Sequence, residues 1–198
     1  MTAININDHH TLPTAKPSGL TLSQVQRGLA FHEAAHAVVG MYIGMSCERV
    51  SVHRLTRDGR SGWSGVTTWA HCAPVSEFGF AVQAAAGGAA DRRQLAAAGL
   101  LTAVTLDSCD ASHDRDTAVS VLAAAGYTVV LQGAAPGYGC TWTEVEEATE
   151  ATLDDLWEEI TAVALALLAT GDLTLTGAQV SAAAGIPNPT PAPLPTTT

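Results

Sequence analysis

The stretch Gln26-Arg27-Gly28-Leu29-Ala30-Phe31-His32-Glu33-Ala34-Ala35-His36-Ala37-Val38-Val39 sets two histidines and a glutamate among small and apolar residues. Apolar positions recur through Leu22, Val25, Leu29, Val38 and Val39, and Thr21 is followed three residues later by Gln24, a capping-box pair. Gly44 supplies a stop. The spacing therefore predicts a helix opening at Thr21. Residues four apart on a helix lie about 40° apart around its axis, so His32 and His36 project from one face. Two imidazoles so placed reach a single Zn²⁺ at about 2.0–2.1 Å. Glu33 stands beside them as the general base: a carboxylate next to a metal-acidified water takes its proton and hands it to a leaving amine. Two histidines and a glutamate in an apolar helix are costly unless satisfied together, which favours a metal site over chance.

Outward from this helix, Val50 and Val52 alternate with Ser51 and His53, and Trp63 to Trp69 reads as a second strand. Arg57-Asp58-Gly59-Arg60 is the turn of the resulting hairpin. A second helix is expected from Val75 to Ala98, with Phe78, Val82, Ala85 and Ala89 on its buried side. Gly87-Gly88 weakens that helix relative to alanine, so close packing of another element is expected there. An acidic turn, Asp107 to Asp110, precedes a third helix over His113 to Ala125, and Leu131 to Tyr138 reads as a Gly-rich loop. The last long helix is expected to start after Thr143, with Glu146 completing a capping box. Its stripe Leu153, Leu156, Trp157, Ile160, Val163, Ala164, Leu167 and Leu168 is core rather than a cofactor site, and Glu144, Glu146, Glu147 and Glu150 form a solvated face.

The polar stretch 1–20, broken by Pro13, Pro17 and Gly19, reads as a flexible arm, and 187–198 as a disordered Pro/Thr-rich tail. Residues 21–186 make one domain, mainly α with a small β-hairpin. A net charge of −10 argues against nucleic acid and against an anionic membrane surface. No signal peptide is visible, and Ala162 to Ala169 is far too short to span a bilayer, so a cytoplasmic protein is expected. Cys47, Cys72, Cys109 and Cys140 form no Cys-x-x-Cys pair and read as free, mostly buried thiols.

A catalytic zinc takes a third protein ligand and keeps its fourth position open. The residues available downstream are His53, His71, Asp107, Asp110, His113, Asp114 and Asp116. Spacing alone does not rank the last four. His53 and His71, flanking the hairpin, read more simply as surface or structural histidines.

The motif helix resembles that of the FtsH-type zinc metalloproteases. In that family a hairpin follows, like Val50–Trp69, and then a helix with a Gly-Gly-x-Ala-Ala-acidic segment; Gly87-Gly88-Ala89-Ala90-Asp91 is similar, one residue shorter. Asp110-Ala111-Ser112-His113-Asp114-Arg115 resembles the family's segment at the start of a helix whose aspartate is the third zinc ligand. The resemblance thus implies Asp114 as the third ligand. The long final helix and Leu173-Thr174-Leu175-Thr176-Gly177 also look like the family's C-terminal region. Ala35 departs from the pattern, standing where the family usually has glycine.

The resemblance implies an FtsH peptidase-domain-like helical bundle around Zn²⁺ held by His32, His36 and Asp114, with Glu33 as base. The implied activity is zinc-dependent endopeptidase hydrolysis of peptides or unfolded protein. Lys16 is the only lysine, so this chain carries no Gly-x-x-x-x-Gly-Lys phosphate loop, and hydrolysis by the isolated chain is expected to be ATP-independent. Substrate would be short or already unfolded, or be supplied by a separate ATPase or adaptor partner. The alternative is a non-catalytic FtsH-like zinc-binding protein-interaction module.

Overall fold

The computed structural model describes residues 19–57, 60–70, 75–108, 112–135 and 137–191. The helix predicted at Thr21 is α1, Leu22–Tyr42, with the expected reciprocal capping box between Thr21 and Gln24. It ends on the glycine read as its stop: Gly44 takes a left-handed φ of 104°, Gly44 N–H donates to Met41 O and Met45 N–H to Gly40 O. That pair of bonds is the Schellman arrangement. From Glu33 to Met41 every residue of α1 is buried. A helix buried all round must be covered on all sides. The sheet covers one side of α1, and α2 with α5 the other.

The hairpin forms and is longer than expected, with β1 at Cys47–Arg57 antiparallel to β2 at Arg60–Trp69. The tip residues Asp58 and Gly59 lie outside the described residues. On β2, Thr67 and Trp69 are two apart and so share a face. Trp69 lies so close over Gly40 that a Cβ there would overlap its ring.

Helix α2 spans Glu77–Ala97, with Ser76 accepting from Gly79 N–H at its start. Val82 and Ala89 are buried as expected, whereas Phe78 and Ala85 are half-buried. The expected acidic turn instead begins in a short helix, α3 at Ala103–Ser108, and Asp110 lies outside the described residues. Helix α4 follows at Ser112–Ala124. The Gly-rich loop is flanked by two short parallel strands, β3 (Thr128–Val130) and β4 (Gly139–Thr141). Helix α5, Trp142–Ala169, starts two residues earlier than expected: Thr141 is its N-cap, and Glu144 rather than Glu146 closes the capping box. Its stripe is core, with Leu153, Leu156, Ile160, Val163, Ala164 and Leu167 buried, Trp157 and Leu168 half-buried. Each of the larger buried side chains contributes about 1.5–3 kcal/mol.

Beyond α5, β5 (Thr174–Thr176) pairs antiparallel with β1, giving the strand order β2-β1-β5, and α6 (Gly177–Ala184) follows. The packed chain runs past the boundary expected at 186. Asn188 is fastened to β1, its Oδ1 accepting from Cys47 N–H at 2.9 Å and its Nδ2 donating to Cys47 O at 2.7 Å. Residues 192–198 of the expected tail, and 1–18 of the expected arm, lie outside the described residues. Cys47 and Cys140 are free and buried, and burial pushes the Cys47 thiol up to about 12. Cys72 and Cys109 lie outside the described residues. Among the described residues no helix is long and apolar enough to cross a membrane.

Candidate metal centre

His32 and His36 face α2 from successive turns of α1. Their Nε2 atoms lie 3.1 Å apart. Asp114, in the first turn of α4, brings Oδ2 to 3.2 Å from His32 Nε2 and 3.5 Å from His36 Nε2. The candidate ligand atoms of the three residues all fall within 4.8 Å of one another.

The rear of each imidazole is engaged by α2. His32 Nδ1 lies 2.9 Å from Asp91 Oδ2, and His36 Nδ1 lies 2.9 Å from the backbone oxygen of Gln83. Both partners are acceptors, so the proton is assigned to both Nδ1 atoms, and each ring in its neutral form would present an Nε2 lone pair at the front. The Gln83 side-chain amide is 3.3 Å from the same His36 nitrogen and 3.5 Å from His36 O. We assign its proton to His36 O, because Nδ1 is already donating to the closer carbonyl.

Two lone pairs and a carboxylate oxygen thus converge on one point. A bare convergence of acceptors is repulsive, and a proton or a cation relieves it. Burial works to lower the His32 pKa, yet the charges and hydrogen bonds of Asp91 and Asp114 hold it well above the ordinary histidine value. Burial likewise works to raise the Asp114 pKa, but hydrogen bonds and charge from His32 and His36 keep its carboxyl well below the usual range. Two imidazole nitrogens and one carboxylate oxygen, each imidazole held from behind by an acceptor, fit a divalent ion such as Zn²⁺.

Gly87 explains how α2 comes close enough. A Cβ built on it would stand 2.5 Å from the Nε2 atoms of both His32 and His36. The close packing expected at this diglycine is packing against the histidine pair itself.

Glu33 packs against β2 and is only 5% exposed. Its Oε2 accepts from Thr67 Oγ1 at 2.8 Å, and the same hydroxyl lies 3.1 Å from the Glu33 backbone oxygen. Oε1 lies against Gly65, where a Cβ would overlap the carboxylate. Burial pushes the Glu33 carboxyl above its usual value, opposed by the charges of His32 and His36 and by the Thr67 hydrogen bond.

The remaining candidate ligands fall elsewhere or outside view. His113 and Asp116 are exposed, and Asp116 pairs with Arg115 at 3.1 Å. His53 lies on β1 and is not in the ligand grouping. His71 and Asp110 lie outside the described residues. Sequence reasoning missed the roles of Asp91, Gln83, Thr67 and Gly65. For Asp91 a signal existed: it stands one helical turn after Gly87 and so shares its face. Gln83 acts through its backbone, which leaves no side-chain signature. In comparisons with known proteins, no family model and no curated protein sequence matches this chain.

Proposed function

We propose that this chain is a zinc-dependent endopeptidase of the FtsH-like kind, acting on peptides or unfolded protein. The observation that carries the reading is the convergence of His32, His36 and Asp114 within 4.8 Å, with Glu33 next in sequence to the first of them. The order of segments that resembles the FtsH-type proteases supports the same ligand set. His32, His36 and Asp114 would hold the ion. Zinc held there supplies Lewis acidity, which acidifies water and polarises a peptide carbonyl.

The chain's own residues would do the rest. Glu33 takes a proton from the attacking water as the new C–O bond forms, and returns it to the amine as the C–N bond breaks. Asp91 and the Gln83 carbonyl keep the imidazoles in register. Strand β2 is an edge of its sheet and carries Gly65 and Thr67 beside Glu33. An extended peptide adding to that edge would lie alongside the base, using main-chain hydrogen bonds for affinity. A separate ATPase or adaptor would deliver folded substrates.

The test is zinc content together with casein cleavage, with and without chelator and ATP, for wild type and Glu33→Gln. Wild type should carry stoichiometric zinc and cleave casein indifferently to ATP. The variant should keep zinc and lose about 10²–10⁴-fold in rate. Stoichiometric zinc without cleavage would leave the non-catalytic binding module; absence of zinc binding would remove both readings.

A further inference from the structure

The Thr67 hydroxyl reaches from β2 to a single residue of α1. Its one proton is offered to two acceptors of the same residue, the Glu33 carboxylate at 2.8 Å and the Glu33 backbone oxygen at 3.1 Å. A donor that bridges a side chain to its own main chain restricts the torsions between them. Glu has three such torsions, and a free Glu side chain surrenders substantial rotamer entropy when one conformation is required. Two residues before it on the same face of β2, Gly65 lacks the Cβ that would displace the carboxylate. Both residues come from β2, which Trp69 seats on α1 over Gly40.

We propose that Thr67 is a positioning residue for Glu33, holding its carboxylate over Gly65 in a single orientation for proton transfer. The role of Thr67 in turnover rests on the peptidase reading above. The clamp on Glu33 does not, and can be decided without turnover. Oε2 accepts from the hydroxyl and Oε1 lies over Gly65, so both carboxylate oxygens are set by β2. Strand β2 then has two tasks: it offers an edge for extended substrate and it carries the residue that sets the base.

The experiment compares Thr67→Val, which keeps shape and loses the hydroxyl, with Thr67→Ser, which keeps the hydroxyl and loses a methyl. Partners behind metal-site residues typically contribute about 10–100-fold to activity. Thr67→Val should lower kcat on a casein-derived peptide by that factor, with KM and zinc affinity near wild type. Thr67→Ser should restore kcat. Crystal structures of both zinc-free variants give a second readout: Glu33 should leave its position over Gly65 in Thr67→Val and keep it in Thr67→Ser. An unmoved Glu33 in Thr67→Val, or equal impairment in both variants, overturns the proposal. Wild type that binds zinc without cleaving sinks the peptidase reading instead, and the Glu33 conformation still decides the clamp.

Discussion

Asp91 and His32, from different helices, are joined by a 2.9 Å contact between Oδ2 and Nδ1, on the side of the ring away from His36 and Asp114. The carboxylate fixes the tautomer that frees Nε2 and raises the basicity of the ring. Asp91→Ala should therefore weaken zinc binding by about 10–100-fold although Asp91 is not itself a proposed ligand. Competition against a chromophoric chelator measures this. Wild-type affinity in the variant would mean the ring is oriented by something else.

Gly87→Ala separates the site from the fold. Alanine is favoured over glycine in a helix interior by about 1 kcal/mol. The new methyl would stand 2.5 Å from both Nε2 atoms, so the rings must leave the places that Asp91 and Gln83 give them. The zinc-free variant should unfold near the wild-type midpoint, the helix gain offsetting the lost ring contacts, while zinc no longer stabilises it. Calorimetry with and without zinc reads both effects.

Asp114 and His113 are neighbours on α4 with opposite fates, one converging on the histidines and the other exposed. Asp114→Ala should abolish stoichiometric zinc binding and His113→Ala should leave it intact. The reverse result would move the third ligand and break the likeness to the FtsH-type segment.

Asn188→Ala should destabilise the protein by about 1–3 kcal/mol, the range for leaving a buried polar group without its partner. The amide closes both the N–H and the C=O of Cys47, and a Cβ on Gly177 would collide with that carbonyl and with the Asn188 amide. Urea denaturation measures the loss, and an unchanged midpoint would show that water replaces both bonds.

What the sequence made legible was whatever local rules determine. The cap at Thr21, the stop at Gly44 and the paired histidines follow from spacing within one helix. The stripe of α5 does too, but its first turn does not. Thr141-Trp142-Thr143-Glu144-Val145-Glu146 holds two overlapping capping-box frames, and local chemistry does not choose between them. Pairing of β4 with β3 chooses: Thr141 sits opposite Val130 as the last residue of its strand, which makes it the residue where the helix can begin. Strands β3, β4 and β5 are three residues each, too short for an alternation to register. In the candidate site, the histidine pair and Glu33 stood out by residue type and spacing, whereas Asp114 was singled out among its neighbours only by the resemblance. Thr67, Gly65 and the Gln83 carbonyl were not, because they matter only through packing between elements far apart in the chain.

The pairing of Arg49 with Thr176 and of Val50 with Leu175 gives the molecule a definite order of completion during synthesis. His32, His36, Asp91 and Asp114 all leave the ribosome before α5, the helix that packs on both α1 and α2. Closing β1 against β5 then requires a long loop to shut, a step that contributes to slow folding. The nascent chain therefore exposes the candidate ligands His32, His36 and Asp114 before it owns the scaffold that brings them together, and a metal captured early would act as a staple on a half-built fold.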